Sequence, residues 1–198
     1  MPDEAEQPLE DLLERAADGD EDAWRQILDR YASRVYGLLR AQCGNTDLAE
    51  EITQSTFCTI VTKLGKYTEQ GRFESWLFRI AMNRLRDEMR RRSRHAINIE
   101  EESLIGLAGP APAEQDPADA DDPDLHRLRR AMQRLPEADR QIIQLRHHGE
   151  LSFRQIAEVL GQPVGTVLAR QHRALKKLRD MMGADEPDAS SDTPPEGP

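Results

Sequence analysis

Leu151 to Arg179 reads LSFRQIAEVLGQPVGTVLARQHRALKKLR. Ser152 followed three residues later by Gln155 is a capping box. The hydroxyl accepts from an early helical N–H and the Gln side chain reaches back, so two donors left unpaired by the helix start are satisfied. The helix behind it carries Phe153, Ile156, Ala157, Val159 and Leu160, mostly on one face. Gly161-Gln162-Pro163 ends it, because Gly accepts φ > 0 and Pro begins a helix but does not continue one. A second helix starts near Pro163 and is dense in cations: Arg170, His172, Arg173, Lys176, Lys177 and Arg179. Two short helices around a Gly-containing turn, with the small Ala157 at the crossing, make a helix-turn-helix. A capped hairpin alone also serves packing. The cations, which neutralise phosphates, turn the reading toward duplex DNA, with the second helix in the major groove and its N-terminal residues nearest the bases.

The chain has 198 residues, 32% of them charged and 5% aromatic, with a formal net charge of −10. That balance looks wrong for a nucleic-acid binder until the charge is located. Residues 72–95 hold 8 basic against 3 acidic side chains, and 125–182 hold 12 against 5. Residues 1–71, 96–124 and 183–198 are all net acidic. Local potential governs binding, so the two basic blocks count for more than the total. Cys43 and Cys58 are the only cysteines, with no CxxC, so neither a disulfide frame nor a zinc site is expected. No run approaches the ~18 apolar residues of a membrane span, and no leader pattern opens the chain, so a cytoplasmic protein is expected.

In chain order, residues 1–8 are polar and read as a flexible N-terminus. Leu9, Leu12, Leu13 and Ala16 mark a first helix, broken at Asp18-Gly19-Asp20. Ala23, Trp24, Ile27, Leu28, Tyr31, Val35, Leu38 and Leu39 mark a long second one, ended by Gly44-Asn45. Asp47 is the candidate cap of the third. There Leu48, Ile52, Thr56, Ile60 and Leu64 line one side, opposite Glu50, Glu51, Gln54 and Cys58. After a loop at 65–71 comes a helix from about Phe73 to Arg92, with Leu77, Ile80, Ala81, Leu85 and Met89 expected inward. Arg79, Asn83, Arg86 and Arg90 form its polar stripe. Tyr67, Phe73 and Trp76 lie among Lys66 and Arg72, aromatics beside cations, which suits unpaired bases and their phosphates. Core packing is the competing role for Phe73 and Trp76.

Residues 96–124 contain no basic residue and are rich in Ala, Pro, Asp and Glu, the composition of a flexible acidic linker. Its roughly thirty residues reach on the order of 100 Å when extended, and as a coil about a third of that, which lets the two units sit apart. A final helical unit spans 125–182: Leu125, Leu128, Met132 and Leu135, a break at Pro136, then Ile142, Ile143 and Leu145, then the helix-turn-helix. Residues 183–198 read as an acidic disordered tail. The fold class is therefore all-α, with two small helical domains, 9–95 and 125–182, joined by the linker.

These residues resemble the bacterial sigma factors of the extracytoplasmic-function (ECF) type. AEEITQSTF (Ala49–Phe57) is similar to the motif that docks on the clamp of RNA polymerase. FESWLFRIAMNRLRDEMRRR (Phe73–Arg92) looks like the region 2 helix that reads the minus-10 element, and Leu135–Arg179 resembles region 4, which reads the minus-35 element. The resemblance implies a promoter-specificity subunit that binds core polymerase through its clamp and flap regions and contacts promoter DNA, duplex and single-stranded. It also implies an anti-sigma regulator, and no catalytic centre, metal or cofactor of its own. Carried over, Asp47, Glu50, Glu51 and Gln54 would meet polymerase. Lys66, Tyr67, Arg72, Phe73, Trp76, Arg79, Asn83, Arg86 and Arg90 would serve the minus-10 element, whose flipped base needs a prepared pocket. Arg154, Thr166, Arg170, His172, Arg173, Lys176 and Lys177 would serve the minus-35 element.

The chain departs from the family pattern in places. Leu168-Ala169 stands where Lys-Ser is common, Leu175 where an Arg is expected, and Gln171 where a core Leu is expected. A buried stripe rotated to Val164, Leu168, Leu175 and Leu178 would accommodate this; a partner surface is the other reading. Ser55 stands where Asp or Glu is common. With Thr53 and Thr56 beside it, a phosphate there is one way to supply the missing charge. The alternative to a sigma subunit is a helix-turn-helix operator-binding regulator, which has no need of the Arg79/Asn83 stripe or the aromatic loop.

Overall fold

The computed structural model describes residues 7–102 and 122–184, which form helices and no strand. They are α1 (Leu9–Ala17), α2 (Glu21–Cys43), α3 (Thr46–Leu64), α4 (Phe73–Glu102), α5 (Pro123–Arg134), α6 (Glu137–His147), α7 (Phe153–Leu160) and α8 (Val164–Ala184). The expected linker and tail lie largely outside the described residues. Helix α4 runs past the expected boundary at 95 to Glu102, α5 begins at Pro123, and α8 continues to Ala184.

Short polar residues set the helix boundaries. Asp20 caps α2 by accepting from the Asp22 and Ala23 N–H groups at 2.9 and 3.1 Å. Gly44 ends it with φ 67°, a conformation that costs a residue without Cβ little. Asn45, not Asp47, caps α3, accepting from the Leu48 N–H at 2.7 Å. Asp47 sits in the first turn, where its charge faces the positive end of the helix dipole. The capping box is present in both halves: Gln155 N–H to Ser152 Oγ at 3.3 Å, Ser152 N–H to Gln155 Oε1 at 2.7 Å.

Helices α1–α4 close around Ile27, Tyr31, Val35, Leu38, Ile60 and Leu77, none exposed by more than 1%. The stripe from Leu48 to Leu64 is buried as expected, with Thr56 donating its hydroxyl to the Ile52 carbonyl at 2.7 Å. On α4 the apolar face is broader than the expected set. Phe78 and Met82 are buried, Ile80 is half-buried, and Met89 is 47% exposed. Met89 follows Leu85 on the same face, one turn past the end of the packed bundle.

In α8, Val167, Ala174 and Leu178 face the core and Gln171 is half-buried. The rotated stripe is thus corrected: Val164, Leu168 and Leu175 are 40, 43 and 41% exposed. At ~100° per residue they lie on a flank turned roughly 60–100° from Val167.

The two units, which the linker would let separate, pack against each other. Ile142, Leu145, Leu151 and Ile156 share one continuous core with α1–α4. Polar contacts reinforce it. Gln144 Nε2 donates to the Ala41 carbonyl at 2.7 Å, and Arg34 Nη2 to the Gly149 carbonyl at 2.7 Å. Gly149 itself tolerates no side chain, since a Cβ would stand 2.7 Å from the Leu145 carbonyl oxygen.

Candidate nucleic-acid interface

The loop before α4 is held from within. Glu69 accepts from the Arg72 N–H at 2.8 Å and from the Tyr67 hydroxyl at 3.2 Å. Burial, then the neighbouring Glu69 carboxylate, pushes the Tyr67 phenol's pKa upward, so it is a neutral donor at physiological pH. The rings of Tyr67 and Trp76 stack at 4.5 Å between centroids and 16° between planes. Both are half-buried. Phe73 was expected to face DNA and does not. It is 1% exposed and wedged against Tyr31, Tyr67 and Trp76, with centroids 5.5, 5.9 and 6.0 Å away. As the first residue of α4 it anchors the loop.

Beyond this pair, Arg79, Asn83, Arg86 and Arg90 are all exposed along one side of α4, with Lys66 exposed in the loop. Arg86 Nη1 donates to Asn83 Oδ1 at 2.8 Å, fixing the amide and leaving its NH₂ side as donor. Farther along, Glu88 binds Arg91 and Arg92 at 2.7 and 2.8 Å, and these guanidiniums hold its carboxyl down at about 2.

The helix-turn-helix presents Thr166, His172, Arg173 and Lys176 to solvent, with Arg170 half-buried. Thr166, Arg170 and Arg173 share one flank, and Gly165, Ala169, His172 and Lys176 form the outward crest. Lys177, farther along the flank of Arg170 and Arg173, lies 3.6 Å from Asp139 of α6 and pairs within the unit. Arg154 is exposed, 3.8 Å from Glu158, and Arg72 approaches the same carboxylate at 4.0 Å. Cations expected at two different DNA elements therefore meet at one side chain.

On α3, Asp47, Glu50, Glu51 and Gln54 are exposed together, with Arg92 3.7 Å from Glu51. Ser55 is less available than its hydroxyl suggests: Arg84 donates to Ser55 and to Thr59. Thr53 donates to the Ala49 carbonyl, and Thr56 is buried. Sequence reasoning missed Arg84, Arg34 and Glu74. For Arg34 the available signal was a cation directly beside the apolar stripe of Tyr31 and Val35. No described helix is long and apolar enough to cross a membrane.

A base-sized aromatic ledge beside a cationic stripe, on the same chain as a helix-turn-helix, defines a class of multi-contact DNA-binding proteins. The relationships are specific. Residues 27–95 match the family Sigma-70 region 2, and 131–180 match Sigma-70, region 4. The chain is 34% identical to the RNA polymerase sigma factor CarQ of Myxococcus xanthus, over 86% of its own length and 95% of that protein. It is 33% identical to the ECF RNA polymerase sigma factor RpoE of Cereibacter sphaeroides, over 82% and 88%. Its fold resembles that of CnrH, solved with the cytosolic domain of CnrY, with TM-score 0.64, 24% identity and coverage of 90% and 99%. RpoE of Bartonella quintana, solved with the anti-sigma factor NepR, gives 0.64 at 23% identity, over 82% and 98%.

The chain belongs to the ECF sigma factors, the promoter-recognition subunits of bacterial RNA polymerase. An operator binder working through the helix-turn-helix alone would leave the region 2 match unexplained.

Proposed function

We propose that the two surfaces divide the promoter between them. Lys66, Tyr67, Arg72, Trp76, Arg79, Asn83, Arg86 and Arg90 receive the minus-10 strand once it is unpaired. The ledge of Tyr67 and Trp76 stacks a base, Asn83 hydrogen-bonds a base edge, and the arginines hold phosphates. Arg154, Thr166, Arg170, His172, Arg173 and Lys176 engage the minus-35 duplex through the major groove. Asp47, Glu50, Glu51 and Gln54 form the polymerase contact on α3, and the 9–95 and 125–182 units act as the two DNA-reading domains. The chain works in the cytoplasm as an initiation factor, the bond-making chemistry being the polymerase's. Proteins of the same fold were solved with CnrY or NepR bound, which supports an anti-sigma regulator here too.

One observation carries this division: the stacked Tyr67–Trp76 pair lies at the head of the helix that displays the Arg79–Asn83–Arg86 stripe. Permanganate probing of unpaired thymines in complexes with core polymerase tests it. Trp76→Ala should lower thymine reactivity at the minus-10 element by about tenfold while duplex binding persists, since base stacking contributes ~1–3 kcal/mol. Arg173→Ala should instead weaken binding itself. Equal loss of binding in both variants would refute the division.

A further inference from the structure

We infer that Leu168, with Ala169 beside it, reads thymine methyl groups in the minus-35 duplex; this rests on α8 being the helix that enters the major groove. Leu168 is 43% exposed although it lies in the second turn of α8, and the core of its unit closes without it, through Val167, Ala174 and Leu178. Its neighbours on the outward side are small: Ala169 is exposed, and a Cβ built on Gly165 would meet nothing within 4 Å. The crest over the first turns of α8 is thus low in profile, with Val164 and the longer Leu168 exposed along its edge.

Polar groups border this apolar spot on its outward side. His172 stands one turn beyond Leu168, Lys176 follows along the crest, and Arg170 and Arg173 lie on the far flank, across the crest. A crest edged by phosphate-neutralising groups is adapted to lie against nucleic acid. Within the major groove the 5-methyl of thymine is the apolar feature of the base edges. Leu168 has no hydrogen-bonding atom, so it cannot select guanine as an Arg would. It gains only where a methyl group meets it. Ala169, on the crest about 100° round the helix from Leu168, adds a second, shorter apolar contact. The minus-35 element of this chain therefore contains a thymine that is required for its methyl group as well as its pairing.

The test uses the full chain with core RNA polymerase and a promoter fragment it transcribes. Each thymine of the minus-35 element is replaced in turn by deoxyuridine, which keeps base pairing and phosphates and removes only the methyl. Wild-type protein should lose about fourfold in duplex binding and open-complex formation at one or two positions, as for one methyl taken out of contact. Leu168→Ala should bind the thymine promoter correspondingly less well and show no further loss with deoxyuridine, while Leu168→Met retains the discrimination. Robust transcription with deoxyuridine tolerated throughout would overturn the inference and leave α8 as the reading helix. Discrimination undiminished in Leu168→Ala would do the same. Unchanged DNA binding in Leu168→Ala, with loss of a protein partner, would assign the residue to protein docking instead. If Arg173→Ala also leaves duplex binding intact, α8 is not the reading helix and both readings fall.

Discussion

Arg34 of α2 and Glu74 of α4 form a 2.9 Å ion pair that faces the C-terminal unit. Their side chains are only 15 and 23% exposed. Both have further partners across the boundary: Arg34 donates to the Gly149 carbonyl, and Glu74 accepts from Gln155. Gln155 is at the same time half of the capping box that starts α7. The first turn of the helix-turn-helix is therefore fastened to the α1–α4 bundle by the residue that also completes its cap.

Removing Arg34 leaves the Gly149 carbonyl and the Glu74 carboxylate short of a donor in a half-buried place. Arg34→Ala should lower stability by about 1–3 kcal/mol in denaturant unfolding. It should also increase the radius of gyration measured by X-ray scattering, because the two units lose their polar fastening. A variant with unchanged radius and full stability would show that the shared apolar core holds the units together unaided.

Tyr31 offers a different kind of prediction. Its ring is fully buried under the Arg34 guanidinium, 5.3 Å from the centroid, and among the described residues its hydroxyl has no hydrogen-bond partner. Tyr31→Phe should therefore be tolerated and should raise stability by up to about 1 kcal/mol. Burial, and then the Glu74 charge, push the phenol's pKa up to about 12 from 10.0. Since the folded state holds this proton more tightly, its contribution is present below pH 10. It is lost as pH rises from about 10 to about 12. Wild type should lose stability across that alkaline window more steeply than Tyr31→Phe in parallel thermal melts.

At Ser55 the geometry changes what an added charge would do. Arg84 already donates to this hydroxyl, so a carboxylate or phosphate there would pair with Arg84 rather than extend the acidic face of Glu50 and Glu51. Ser55→Glu should leave affinity for core polymerase within about twofold of wild type. In the Arg84→Ala background the same change should raise it. A gain from Ser55→Glu alone would contradict the pairing.

Local signals were legible in the sequence, and long-range ones were not. The capping box of Ser152 and Gln155 and the turn at Gly161 depend on residues three or four apart, so they could be read directly. The contact between Glu74 and Gln155 joins positions 81 residues apart and has no local signature. Met89 continued the apolar period of α4 correctly; periodicity simply does not say where the neighbouring helices stop covering a face. Phe73 and Trp76 both looked like candidates for stacking on bases. Their roles separated because the first residue of α4 points into the bundle and the fourth lies along its rim. In α8 two registers, one through Leu168 and Leu175 and the other through Val167 and Ala174, both include Leu178. The larger side chains favoured the wrong one. Small Ala174 wins because α8 packs closely there, and a Leu would hold the helices apart.

The most direct test of the account is run-off transcription with core RNA polymerase and a library of bacterial promoter fragments, with wild-type protein and the Asn83→Ala variant. Protein-dependent transcripts that share two spaced upstream elements are expected, with the variant reduced by at least about tenfold on the same templates. Binding of duplex DNA by the protein alone, with no transcript from any fragment in the presence of polymerase, would contradict it.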